Sequence, residues 1–170
     1  MIALKTIVVH FTSDERADEL LRISLKLAQE HDAHLVGLFV TFAEIPAPWI
    51  GAGKALIDTS RAMLKSRSDA IRARFEAGAA AHGIRSEWRY VEPKRRVAID
   101  VLLQHARCAD LIIASQADEG HYDTSLVEYP EELLLDGGRP VLLVPTAGSF
   151  PSLGERVTIA WNDRREAARA

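Results

Sequence analysis

Five short apolar runs, each separated from the next by a helix-length segment, constrain this 170-residue chain more than any other feature. The runs are Thr6–Phe11, His34–Val40, Ile84–Val91, Leu111–Ala114 and Val141–Val144. The first is β-branched and apolar without clean alternation, which is how a strand buried on both faces reads. Between the first two, Ala17, Leu20, Leu21, Ser24, Leu27 and Ala28 recur at helical spacing on one face, up to His31-Asp32. A long helical stretch from Ala55 to His82 stops at Gly83, and Val97–Ala106 forms a further helix. A short helix ends at Gly137-Gly138 before the last run. Strict alternation of strand and helix predicts an α/β fold: a parallel sheet with helices on both faces. The default ligand site of such a sheet lies outside the carboxyl ends of its strands, at the switch point.

Local signals refine this outline. Thr12 with Glu15 three residues on has the form of a capping box. Leu56, Met63, Ile71, Phe75 and Ala79 mark the inward side of the long helix. Trp88 and Tyr90 share one strand face and read as core or interface residues. Residues 43–53 form a loop broken by Pro46, Pro48, Gly51 and Gly53. Pro130 is placed at the first position of a helix, where its missing amide hydrogen costs nothing, with Glu131 and Glu132 behind it at the positive end of the dipole.

Composition narrows the function classes. The chain is 48% hydrophobic, enough for a packed core, and its formal charge is -3, which argues against a phosphate backbone as partner. A lone cysteine, Cys108, excludes an internal disulfide, fits a reducing cytoplasm and reads as a small apolar residue near a helix end. Neither an N-terminal signal nor a bilayer-length apolar stretch is visible, so the expectation is a cytoplasmic protein with no membrane and no nucleic-acid partner.

Several constellations carry chemistry by residue type but lack the spacing for it. Gly51-Ala52-Gly53-Lys54 has part of a phosphate-binding loop, yet Pro48 and Ala55 stand where a glycine and a hydroxyl residue are needed. Ser115, Asp118, His121 and Asp123 supply a nucleophile, a base and acids in one loop without a nucleophile elbow. His31 and His34 have no third metal ligand placed by sequence, so no metal is expected. Lys94-Arg95-Arg96 precedes a helix, against its dipole, and reads as a solvated turn or a small anion- or partner-binding patch.

Three segments resemble the universal stress protein (UspA) family: Glu87–Glu92, His105–Ile113 and Gly138–Pro145. The resemblance covers residues 4–145. It implies a five-stranded parallel sheet in the Rossmann-like order 3-2-1-4-5, dimerisation through the last strand, and a role in stress survival without one established reaction. Residues 1–145 are then one UspA-like domain and 146–156 a Gly/Ser/Pro linker. Residues 157–170 repeat the chain's own opening and read as the truncated start of a second copy, as in tandem members.

Nucleotide-binding members of that family carry G-x2-G-x9-G-[ST] after the fourth strand and an aspartate after the first. The corresponding residues here are Ala114, Ala117, Val127 and Glu128, and Thr12. A β-branched Val127 crowds the approach of a phosphate, and a Glu128 carboxylate repels it. The expectation is therefore a non-enzymatic stress-response binding protein with no catalytic residues and no cofactor, ATP being disfavoured. Its residual cleft is formed by His10, Phe11, Thr12, Ala114, Ser115, Gln116, Ala117, Val127 and Glu128. The expected partners are a second copy, through Val141–Val144 or the Val157–Trp161 strand, and an unidentified protein. The alternatives are an adenine-nucleotide binder with altered geometry and slow ATPase activity, and a hydrolase built on the Ser115–Asp123 loop.

Overall fold

The computed structural model describes residues 3–41, 54–93, 98–116 and 125–158. Nine elements alternate along them: β1 (Thr6–His10), α1 (Ala17–His31), β2 (His34–Val40), α2 (Lys54–Ala81), β3 (Ser86–Val91), α3 (Ala98–Ala106), β4 (Leu111–Ser115), α4 (Ser125–Asp136) and β5 (Val141–Val144). The strands form one sheet in the order β3-β2-β1-β4-β5, all pairs parallel, as expected. β1 lies at the centre, with Val8 opposite both Val36 and Ile112.

Two cores lie on opposite faces of the sheet because successive strand residues point opposite ways. Ile7, Val9, Leu35, Phe39 and Ile113 pack with Leu20, Ile23 and Ala28 of α1 and Ile71, Phe75 and Ala79 of α2. Val8, Val36, Leu38, Val40, Ile112 and Ala114 pack with Leu102, Leu103 and Ala106 of α3 and Tyr129 and Leu133 of α4. The strands carry apolar residues at nearly every position because both faces are covered. At Gly37 a Cβ would stand 2.4 Å from Trp88 Cε3, so the absent side chain lets the indole lie against β2.

The structure departs from the sequence reading at several points. The capping box does not form: α1 begins at Ala17, its N-cap is Arg16, and no side chain caps it. The turn before it is held instead by the Ala17 amide donating to the Asp14 carbonyl at 3.2 Å, while Asp14 and Asp18 both pair with Arg74 of α2. β3 starts at Ser86, two residues later than expected. Pro130 lies inside α4, not at its start, so Glu131 and Glu132 sit beyond the first turn. Met63 is 66% exposed, because only the C-terminal half of α2, from Ser68 onward, lies against the sheet.

The segment after β5 was expected to be a plain linker, but it lies along α1. Arg16 donates to the carbonyls of Pro145 (2.5 Å) and Gly148 (3.3 Å), Arg22 donates to that of Phe150, and Lys26 to that of Pro151 (3.3 Å). Glu19 accepts from the Phe150 amide at 2.8 Å. Phe150 and Leu153 pack against the core on the α1 side. The N-cap residue and three α1 side chains, spaced three or four residues apart, thus grip one strap. Of the proposed second-copy strand, Val157 and Thr158 belong to no strand, Val157 is 74% exposed, and residues 159–170 lie outside the described residues.

Candidate functional site

The sheet order reverses direction between β1 and β4, so their carboxyl ends form the switch point. β1 ends at His10, followed by Phe11 and Thr12; β4 ends at Ser115, followed by Gln116. Backbone pairing continues one residue past each strand: Phe11 N–H donates to the Leu38 carbonyl (2.9 Å) and Gln116 N–H to that of Val144 (2.8 Å).

The expected cleft residues divide at this crest. Phe11 is fully buried on the α1/α2 face, 5.5 Å from the Trp88 ring and edge-on to Phe75 at 6.3 Å, so it belongs to the core and not to an open cleft. Ala114 is likewise fully buried, on the other face. His10 is fully buried on that same α3/α4 face, and desolvation pushes its pKa down to about 3, so the imidazole is neutral. Thr12 is half-buried, the Ser115 side chain is buried, and Gln116 is exposed. Ala117 lies outside the described residues. Val127 and Glu128 fall in the first turn of α4; their side chains lie outside those described.

The residue that joins these positions was not anticipated from sequence. Tyr129, 3% exposed, reaches from α4 to the crest. Its hydroxyl donates to the Ser115 carbonyl at 3.0 Å, and the Thr12 side chain lies beside the phenol and pulls its pKa down against the larger effect of burial. Its ring meets His10 edge-on, 5.2 Å between centroids and 83° between planes. Burial pushes the phenol pKa up, so it stays protonated and remains a donor. Thr12 of the β1 loop, Tyr129 of α4 and Ser115 of β4 thus meet across the switch point, the last two joined by a hydrogen bond. The available signal was Tyr129 and Leu133, four residues apart and both buried, on the side of α4 that faces the sheet.

The other constellations come apart or fall elsewhere. Asp118, His121 and Asp123 lie outside the described residues, as do Gly51–Gly53 and Lys94–Arg96. The His31 ring accepts from the Leu4 amide at 3.5 Å, whereas His34 faces Glu87 at 3.9 Å. Among the described residues no three metal-ligating side chains cluster, and no helix is long and apolar enough to cross a membrane. Tyr90 stacks on Phe39 at 6.1 Å with the Lys65 ammonium 5.3 Å from its centroid, so it and Trp88 are packed against the core. Cys108 follows α3 as expected, but it is exposed.

No protein-family model and no curated protein matches the sequence. Solved structures do match the fold. A protein of the universal stress protein family from Burkholderia pseudomallei is 26% identical, with a TM-score of 0.56 over 83% of this chain and 96% of that one. The chain is UspA-like. A universal stress protein in complex with cAMP is 22% identical over 86% of this UspA-like chain and all of its own, with a TM-score of 0.57. UspA from Lactobacillus plantarum is 15% identical and has a TM-score of 0.61, over 85% of this chain and 99% of that one. The last two likenesses show the fold alone.

Proposed function

We propose that this UspA-like chain is a non-enzymatic stress-response binding or regulatory protein that does not hold ATP in the manner of nucleotide-binding family members. The observation that carries this reading is the first turn of α4, next to the crest, where the chain places Val127 and Glu128. A helix start with free amides attracts phosphate. By charge alone, a carboxylate at a helix start competes with phosphate for the dipole, and one a few ångström from a triphosphate would oppose it by roughly 1–4 kcal/mol in a surface-like dielectric. Ala114, fully buried at the end of β4, adds a side chain where the family motif has a glycine. The protein acts by association with another protein or a small ligand, as a homodimer. The test is mass spectrometry on small molecules released by denaturing the fresh protein, followed by a thermal shift with Mg-ATP. An empty protein and no shift are expected. A stoichiometric nucleotide, or a shift of several degrees, would overturn the reading.

The cAMP complex among the similar structures favours a second reading, an adenine-nucleotide binder with a rebuilt phosphate site and slow ATPase activity. It requires Glu128→Ser to strengthen Mg-ATP binding about tenfold, one step of 1.4 kcal/mol. Equal affinity in the variant and the parent would end it. The hydrolase reading has less support, because the Ser115 side chain is only 6% exposed.

A further inference from the structure

We propose that Tyr129 is the specificity-determining residue of the switch point, closing it to a nucleobase by engaging the groups such a ligand would use. The inference rests on the reading above, that the parent protein does not hold adenine nucleotides, and supplies a cause other than the altered phosphate loop.

A planar heterocycle at the carboxyl ends of β1 and β4 needs hydrogen-bonding groups for its polar edge and an apolar slot for its ring. Two polar groups of the described crest are the Thr12 hydroxyl and the Ser115 carbonyl; the phenol donates to the carbonyl at 3.0 Å and lies beside the hydroxyl. The ring of that phenol lies edge-on against His10, whose neutral imidazole is itself fully buried. Leu133, one turn along α4, is fully buried and anchors the helix face that presents Tyr129. The crest therefore already holds an aromatic ring with a hydrogen-bonded polar edge, supplied by the chain. For a base to enter, Tyr129 must give up its hydrogen bond to the Ser115 carbonyl in a buried setting, where an unmade bond carries the full desolvation cost of its group.

The experiment uses adenosine, which has no phosphate to meet Glu128, and follows melting temperature in the parent, Tyr129→Phe and Tyr129→Val. In parallel, 3-fluorotyrosine is incorporated in the parent; the chain has three tyrosines, and the resonance missing from Tyr129→Phe identifies residue 129. Tyr129→Phe keeps the ring packing and serves as the folded variant should Tyr129→Val fail to fold. The expected result is no adenosine response in the parent and a saturable rise of several degrees in the variants, larger for Val than for Phe. A parent and folded variants that all ignore adenosine would overturn the closing role and leave the functional reading standing. A parent that binds adenosine overturns the closing role; where the fluorine resonance of Tyr129 moves with it, the base enters the switch point and the functional reading falls as well.

Discussion

His10 shows how one buried side chain sets a condition on the whole fold. Its folded pKa is about 3 against an ordinary value of 6.5, so the unfolded chain takes up a proton over a range where the folded chain does not. The stabilising contribution is complete above pH 6.5 and is lost as pH falls toward 3, by about 1.4 kcal/mol per unit. His105, lowered by burial and by the Arg89 guanidinium beside it, acts in the same direction. Glu19 and Asp110 are carboxylates held low by hydrogen bonds, and their contributions disappear only at more acidic pH. Urea unfolding should therefore give a stability about 2 kcal/mol lower at pH 5 than at pH 7. His10→Phe should flatten most of that slope; an unchanged slope would mean the burial of His10 is not its source. The sequence shows His10 as the end of a strand but not its burial. That comes from Tyr129 of α4, 119 positions further along the chain, arriving edge-on against the ring. Gly37 was hidden in the same way, since its need for no side chain is set by Trp88 on the neighbouring strand.

At the scale of elements, the strands and most helices were legible because periodicity is a local property. The ends were not, because distant partners decide them. Thr12 and Glu15 have capping-box spacing, but the N-cap is Arg16, without a side-chain cap, and the turn is fixed by Asp14 and Arg74. Proline suits a helix start, yet α4 begins at Ser125 and carries Pro130 in its body. Composition suggested a linker after β5; its glycines and serines do read that way, but Phe150 and Leu153 give the segment apolar anchors. Phe150→Ala should release the strap. Amide exchange should rise over 145–153 and along α1, with the amides of β1 and β4 unchanged. Unchanged protection of α1 would show that the four side chains hold the strap without its aromatic anchor.

For the molecule as a whole, the two sheet edges differ in character. β3 carries Glu87 and Arg89, paired with each other, and charges of this kind discourage edge pairing. β5 carries Val141, Leu142 and Leu143, all half-buried, with no charge, and α4 exposes Leu134 and Leu135 at 51% and 76%. A homodimer is therefore best placed at β5. Light scattering at micromolar concentration should give twice the chain mass, and Leu143→Glu should return it to one. A parent that is already monomeric would remove the dimer from the functional reading. The fold class and the β5 edge were readable from the chain alone. The closed crest was not, since its parts come from β1, β4 and α4 and meet only in three dimensions.

The central position of β1 also bears on how the chain is made. The ribosome releases β1 first, but one of its two neighbours, β4, begins about a hundred residues later. A nascent chain that has delivered only β1, β2 and β3 presents β1 as an open edge of almost uninterrupted valine and isoleucine. The strap that secures α1 emerges later still. Nascent chains halted before residue 111 should therefore be the most adhesive species in the life of this protein, and the ones that most need a chaperone at the exit tunnel.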